Sequence, residues 1–223
     1  MSVRARVVLA AAAAAAVVTV TGGIAVAQFD AAPAPTVAPP SPEPSPSPPP
    51  PATGPIIDQQ FLWPEDVGEG YRVAGGGTEG DWTFEFSASA LRCPAGDGPP
   101  APAEKHQRGL VRGSPQARDA VTQYVARFRP GDAARYLDQI QARVGSCKPG
   151  TGRSITVARY GFAGDQALLV AVYYGGGSGT NHVFVRQGDL LTEFMVKAGR
   201  TRDALQRLGH KAADRLCDGG RAC

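Results

Sequence analysis

The chain has 223 residues, with 23 Lys and Arg against 20 Asp and Glu, a formal net charge of +3. So small a basic excess, without a cationic cluster or a DNA- or RNA-reading motif, excludes nucleic acid as the partner. Four cysteines, an even number, point to disulfides and an oxidising compartment.

The first segment, "MSVRARVVLAAAAAAAVVTVTGGIAVAQFD", sets Arg4 and Arg6 before an apolar stretch with no charge until Asp30. This pattern predicts a signal peptide over 1–27, with the small residues Ala25 to Ala27 placing cleavage before Gln28. The competing reading is an uncleaved anchor, since 21 residues from Val7 to Ala27 suffice to cross a bilayer core of about 30 Å. In that case alone the protein touches a membrane. No cysteine follows the small residues and the two arginines are not adjacent, which argues against a lipid anchor or a twin-arginine signal.

Residues 28–55 read as a disordered proline-rich linker: 12 of the 23 residues from Pro33 to Pro55 are proline. Proline fixes φ and removes a backbone donor, so helix and sheet ladder are excluded. As polyproline II the segment reaches roughly 80 to 90 Å and acts as a semi-rigid spacer.

The remaining 168 residues, Ile56 to Cys223, are long enough for one domain with its own core. "WTFEFSASA" alternates, with Trp82, Phe84, Phe86 and Ala88 on one face, and predicts a half-buried strand. After a Gly/Pro-rich loop, "QRGLVRG" and "QARDAVTQYVARF" predict two more strands. The period then changes. "PGDAARYLDQIQARVGSC" predicts a helix capped by Asp132, with Ala133, Tyr136 or Leu137, Ile140 and Val144 inward and Gly145 ending it.

Four further strands follow, "SITVARYGF", "DQALLVAVYYG", "NHVFVRQ" and "LLTEFMVKAG", and the short turns "AGD" and "QGD" favour antiparallel hairpins. A last helix over 201–216 turns Leu205, Leu208, Ala212 and Leu216 to the core. Its Arg207, Lys211 and Arg215 read as a solvated basic face, and its Gly209 as a cost of about 1 kcal/mol. This order of elements predicts an α+β domain, an antiparallel sheet with helices packed on one face. For Cys93, Cys147, Cys217 and Cys223 three connectivities are open. A cysteine just past a helix can staple the short tail locally, which favours Cys93–Cys147 with Cys217–Cys223.

The entry "FLWPEDVGEGY", the unit "VTQYVARFRPGDAARYLDQIQARVGSC", the pair "GDQALLVAVYYGGG" and "HVFVRQGDLLTEF", and the closing helix ending in Cys217 resemble the PknH-like extracellular sensor domains of actinobacteria. Members of that family form the outer part of receptor Ser/Thr kinases or occur free-standing, secreted or lipid-anchored. The resemblance covers most of Trp63 to Cys217 and implies an α+β sensor or binding domain outside the membrane. The kinase itself is missing, with no Gly-rich loop, Lys strand or H-R-D segment, and Cys223 lies beyond the family pattern.

Candidate chemistry is sparse. "GGGSGT", Gly175 to Thr180, lacks the Lys-Ser/Thr of a phosphate loop, and Thr180 stands where a nucleophile elbow needs glycine. It reads as a flexible hairpin loop. Ser178, His182 and Asp189 are the nearest set for triad chemistry, but strand geometry does not join them, so His182 reads as a surface histidine, as do His106 and His210. Asp81, Glu85 and Glu193 are possible glycosidase carboxylates. No zinc, calcium or cofactor motif is present. Trp82, Phe84, Tyr173, Tyr174, Phe184 and Phe194 read first as core and second as pocket lining. The expected function is a secreted, non-enzymatic, sensor-like domain of the cell envelope that recognises a small molecule or a protein. A hydrolase of envelope glycan or ester, and an interaction scaffold or inhibitor, are the alternatives.

Overall fold

A computed structural model describes residues 54–74, 82–96, 98–114 and 119–218. The chain divides into Met1–Ser45 and Pro46–Cys223, and every described residue belongs to the second unit. The expected leader, most of the expected linker, Asp81 and Cys223 lie outside the described residues. None of the described helices is long and apolar enough to cross a membrane.

A 3-10 turn, Asp58–Gln60, and the short helix α1, Pro64–Val67, lead into strand β1, Arg72–Ala74. Next come α2, Thr83–Ala90, the strands β2, Glu104–Arg112, and β3, Asp119–Arg127, and helix α3, Asp132–Ser146. Four strands follow in succession: β4, Ser154–Tyr160; β5, Gln166–Gly175; β6, Ser178–Gln187; and β7, Leu190–Lys197. Helix α4, Arg202–Cys217, closes the chain of elements. The strands form one seven-stranded sheet in the order β1-β2-β3-β7-β6-β5-β4, and every neighbouring pair is antiparallel. The expected α+β architecture is therefore present.

The helices divide between both faces of the sheet, where the sequence had suggested one. Strand side chains alternate between faces. On β5 and β6, Leu168, Val170, Val172 and Phe184 join α2 and α3 in one core, while Leu169, Val183 and Val185 join α4 in another. A sheet buried on both sides explains why β5 reads as a continuous apolar run.

"WTFEFSASA" is also corrected: it forms helix α2, not a strand. Thr83, Phe84, Ser87 and Ala88 are its buried residues, a helical spacing, and Phe86 is 62% exposed. The alternation held only because small polar residues occupy two of the buried positions. After α2 the Cys93 amide donates to the Ala88 carbonyl at 2.9 Å and Arg92 takes φ 58°, the left-handed helix stop. That turn aims Cys93 at the end of α3, where the Cys93–Cys147 disulfide forms. The Cys217–Cys223 pairing lies outside the described residues.

The start of α3 differs in detail from expectation. Gly131, at φ 82°, occupies the cap position and Asp132 the first turn, where its charge favours the helix dipole. Ala133, Ile140 and Val144 are buried as expected, Tyr136 and Leu137 are both buried where one of the two was expected, and the helix continues through Gly145 to Ser146. In α4, Thr201 Oγ1 accepts from the Ala204 amide at 3.3 Å, and Leu205, Leu208, Ala212 and Leu216 are buried as expected.

Gly209 is a close-approach residue. A Cβ added there would stand 2.5 Å from Phe162 Cε2, on the turn between β4 and β5. Gly209→Ala is therefore expected to lower stability by about 1 to 3 kcal/mol, because overpacking outweighs the helix-propensity gain of about 1 kcal/mol. Urea unfolding measures this, and a more stable variant would contradict the packing.

Candidate functional site

Helices α2 and α3 lie side by side on one face of the sheet and leave a cleft of about 320 Å³ between them and the segment after Cys93. Phe84 and Ile140 supply apolar wall, and Glu85, Tyr136, Gln139 and Arg143 supply polar groups. Helical spacing brings the last three together: 136, 139 and 143 lie one turn apart on α3. The Cys93–Cys147 bridge fastens the C-terminal ends of both helices.

Arg143 spans the cleft. Its Nη1 donates to Glu85 Oε2 at 2.5 Å and its Nε to the Pro94 carbonyl at 2.9 Å, while the guanidinium lies 5.9 Å from the Phe84 ring centroid. Its charge is thus compensated within the cleft. Tyr136 and Gln139 are different. Tyr136 Oη and Gln139 Oε1 are buried and have no hydrogen-bond partner among the described residues, and Tyr136 is only 1% exposed. With less than 1 Å² accessible, both atoms lie behind the cleft wall and not on its open surface.

Burial, followed by the charges of Glu193 and Glu85, pushes the Tyr136 hydroxyl well above the ordinary tyrosine range. The folded protein therefore keeps the phenol neutral where the unfolded chain ionises, near pH ~10. The stability tied to this neutrality is complete below that pH and is lost as pH rises toward the folded value. Tyr136→Phe is expected to leave stability at about pH 8 unchanged or raised by about 1 kcal/mol, since it deletes an unsatisfied group. It is also expected to reduce the loss above about pH 10.5, as urea unfolding at both pH values would show.

Under α2 lies a second polar constellation. His182 is fully buried, its Nδ1 3.0 Å from Glu193 Oε1 and its Nε2 2.9 Å from Ser87 Oγ and 3.2 Å from Thr180 Oγ1. Ser87 Oγ in turn meets Tyr174 Oη at 2.6 Å. Glu193 Oε1 also accepts from the Phe84 amide at 2.8 Å and from Thr83 Oγ1, so a buried carboxylate holds the first turn of α2. His182 and Glu193 share a face on adjacent strands and sit diagonally, since Glu193 pairs with Phe184 and His182 with Met195.

The expected surface histidine is therefore a core residue, and the serine beside it is Ser87. Ser178 stands four positions along the same strand, about 13 Å away at the rise of an extended chain. Ser178 is exposed, Gly175, Gly176 and Gly177 take positive φ in the hairpin between β5 and β6, and Tyr173 Oη accepts from the Gly177 amide. Asp189 lies in the turn before β7, His106 pairs with Glu104 at 2.9 Å on β2, and His210 is exposed. Glu85 faces the cleft, whereas Glu193 is 0% exposed. Phe84, Phe184, Phe194 and Trp82 are core residues, and of the expected aromatics only Phe84 also lines the cleft. Arg207 and Lys211 are exposed, but Arg215 Nε donates to Asp66 at 2.9 Å and ties α4 to α1.

Among the described residues no group of three His, Cys, Asp or Glu could hold a metal ion. A second cavity of about 310 Å³ lies near Ile57, Phe61, Val73 and Arg108. Its ionisable groups already have partners: Arg108 donates to Asp58 at 2.8 Å and stacks on Phe61 and Trp63, and His106 meets Glu104.

Neither a family model nor a curated protein matches this chain. Among solved structures, the extracellular domain of PknH from Mycobacterium tuberculosis is similar at 12% identity and a TM-score of 0.36, covering 50% of this chain. The match takes in 64% of that domain, less than two thirds of its length, and is a weak likeness of fold.

Proposed function

We propose that this chain is an extracytoplasmic, non-enzymatic binding domain of the sensor type, carried on its proline-rich spacer, whose small-molecule ligand occupies the cleft between α2 and α3. One observation carries the reading: α2 and α3, with their ends joined by the Cys93–Cys147 bridge, leave a cleft of about 320 Å³ walled by Phe84 and Ile140 and bearing Glu85 and Arg143. The disulfide supports export, because such bonds persist in oxidising compartments. The reading calls for no cofactor, and for membrane contact only where the N-terminal segment remains attached.

The test is native against denaturing mass spectrometry of the exported chain. A discrete extra mass lost on denaturation, and absent when Ser89→Trp fills the cleft, is the expected result. An unchanged extra mass on Ser89→Trp would place the ligand elsewhere. A bare monomer at every loading would favour recognition of a protein instead.

Hydrolysis is the second reading, and the Ser87–His182–Glu193 chain favours it, because its distances are those of an activated serine. Against it, Ser87 is 3% exposed in mid-helix, and the cleft is lined by its neighbours Phe84, Glu85 and Ser89. Binding without turnover predicts equal, background-level hydrolysis of p-nitrophenyl acetate by the wild type and Ser87→Ala. Loss of a clear activity on that substitution would establish the hydrolase.

A further inference from the structure

Resting on the cleft as the binding site, we infer that α2 transmits its occupation to the exposed hairpin between β5 and β6 through one network of buried hydrogen bonds. On one side α2 gives Phe84, Glu85 and Ser89 to the cleft. On its sheet side Ser87 Oγ meets His182 Nε2 at 2.9 Å and Tyr174 Oη at 2.6 Å. Tyr174 and Thr180 form the base of the hairpin, and Thr180 Oγ1 lies 3.2 Å from Tyr174 Oη and 3.2 Å from His182 Nε2. The register shift between Tyr173 and Gly175 leaves Tyr174 as the extra residue of a bulge, a device that re-aims a side chain, in this case onto Ser87.

Burial makes this network a transmitter. His182 is 0% and Ser87 3% exposed, so neither has water to replace a partner that moves away. An orphaned group there carries a desolvation penalty, and a shift of Ser87 is therefore followed by its neighbours. The eight residues of α2 make two turns, which move as one body, and Glu193 Oε1 holds the first of them through the Phe84 amide at 2.8 Å. At the far end the shift reaches a segment that can yield. Gly175, Gly176 and Gly177 take positive φ in succession, Gly176 and Gly177 are exposed, and Tyr173 Oη accepts from the Gly177 amide across the tip. The Ser87–His182–Glu193 chain thus has a role that needs no turnover.

The experiment is NMR-detected hydrogen exchange on the exported, disulfide-bonded chain, in the wild type, Ser89→Trp, Ser87→Ala and the double variant. Ser89→Trp stands in for an occupant of the cleft. It is expected to change exchange at the amides of Tyr174, Gly177 and Thr180 by roughly two- to thirtyfold, the span of couplings carried by packed networks, with no change at Leu208 and Ala212 of α4. In the Ser87→Ala background the same substitution is expected to change them by less than about twofold. Coupling is reciprocal, so Tyr174→Phe, which cuts the network at its half-buried hairpin end, should in turn alter exchange at Glu85 and Ser89. An unmoved hairpin in Ser89→Trp, an equal response with and without Ser87, or unmoved α2 amides in Tyr174→Phe would each overturn the inference. If one of these accompanies a bound mass in the native spectrum, the network fails and the cleft stands as the binding site. A bare monomer with the coupling intact supports the network and removes the small-molecule ligand.

Discussion

Glu193→Ala is expected to cost about 3 to 5 kcal/mol in urea unfolding, because it breaks a buried charged network and leaves its other members without partners. Glu193 Oε1 serves the Phe84 amide, Thr83 Oγ1 and His182 Nδ1 at once, and Phe84, His182 and Glu193 are fully buried with Thr83 nearly so. Glu193→Gln retains an acceptor for the helix amide and is expected to lose less, about 1 to 2 kcal/mol. The effect should be local as well as global. The first turn of α2 is held by this carboxylate, so hydrogen exchange in α2 should accelerate more than in α4 on the far face. Replacing Glu193 and His182 together by apolar residues of similar volume should cost less than the sum of the single changes. A loss below about 1 kcal/mol for Glu193→Ala would contradict the network as the anchor of α2.

The second large effect belongs to the covalent closure of the cleft. Cys93 and Cys147 are 54 residues apart in sequence, and a loop of that length implies about 4 kcal/mol of stabilisation in the chain-entropy account. Cys93→Ser with Cys147→Ser is therefore expected to lower the unfolding free energy by that order. It should also abolish ligand retention, because the ends of α2 and α3 are no longer held together. Non-reducing peptide mapping provides the independent check. A peptide joining Cys93 to Cys217 would overturn the pairing.

These two anchors also show which parts of the molecule could be read from the sequence. Helices α3 and α4 and the strands β4 to β7 announce themselves, because a surface helix or a sheet strand imposes its period on many residues at once. Ala133, Tyr136, Leu137, Ile140 and Val144 are legible for that reason. The eight residues of α2 are too few to separate a period of two from one of 3.6 when Thr83 and Ser87 are among those buried. A polar residue in an apolar period reads as an outward one. Here the polarity is satisfied inside, by partners the chain brings from 95 and 110 positions away.

The burial of His182 is hidden from the sequence for the same reason. Its strand position is evident, but its burial depends on α2 lying over β6, which no local pattern announces. Division of the helices between two faces was half-legible: the unbroken apolar run "ALLVAV" in β5 is the signature of a strand covered on both sides, and it was the available clue. The cleft was the least legible feature. Tyr136 and Gln139 look like one core and one surface residue of an amphipathic helix, and only the position of α2 turns the gap beside them into a site.

The most direct test of the cleft is a high-resolution crystal structure of the chain exported and purified from its own host. The account predicts density for a bound molecule larger than water in the cleft between Phe84 and Ile140, with Arg143 still on Glu85. Water alone in the cleft, or a side chain of the protein itself filling the space between Phe84 and Ile140, would contradict it.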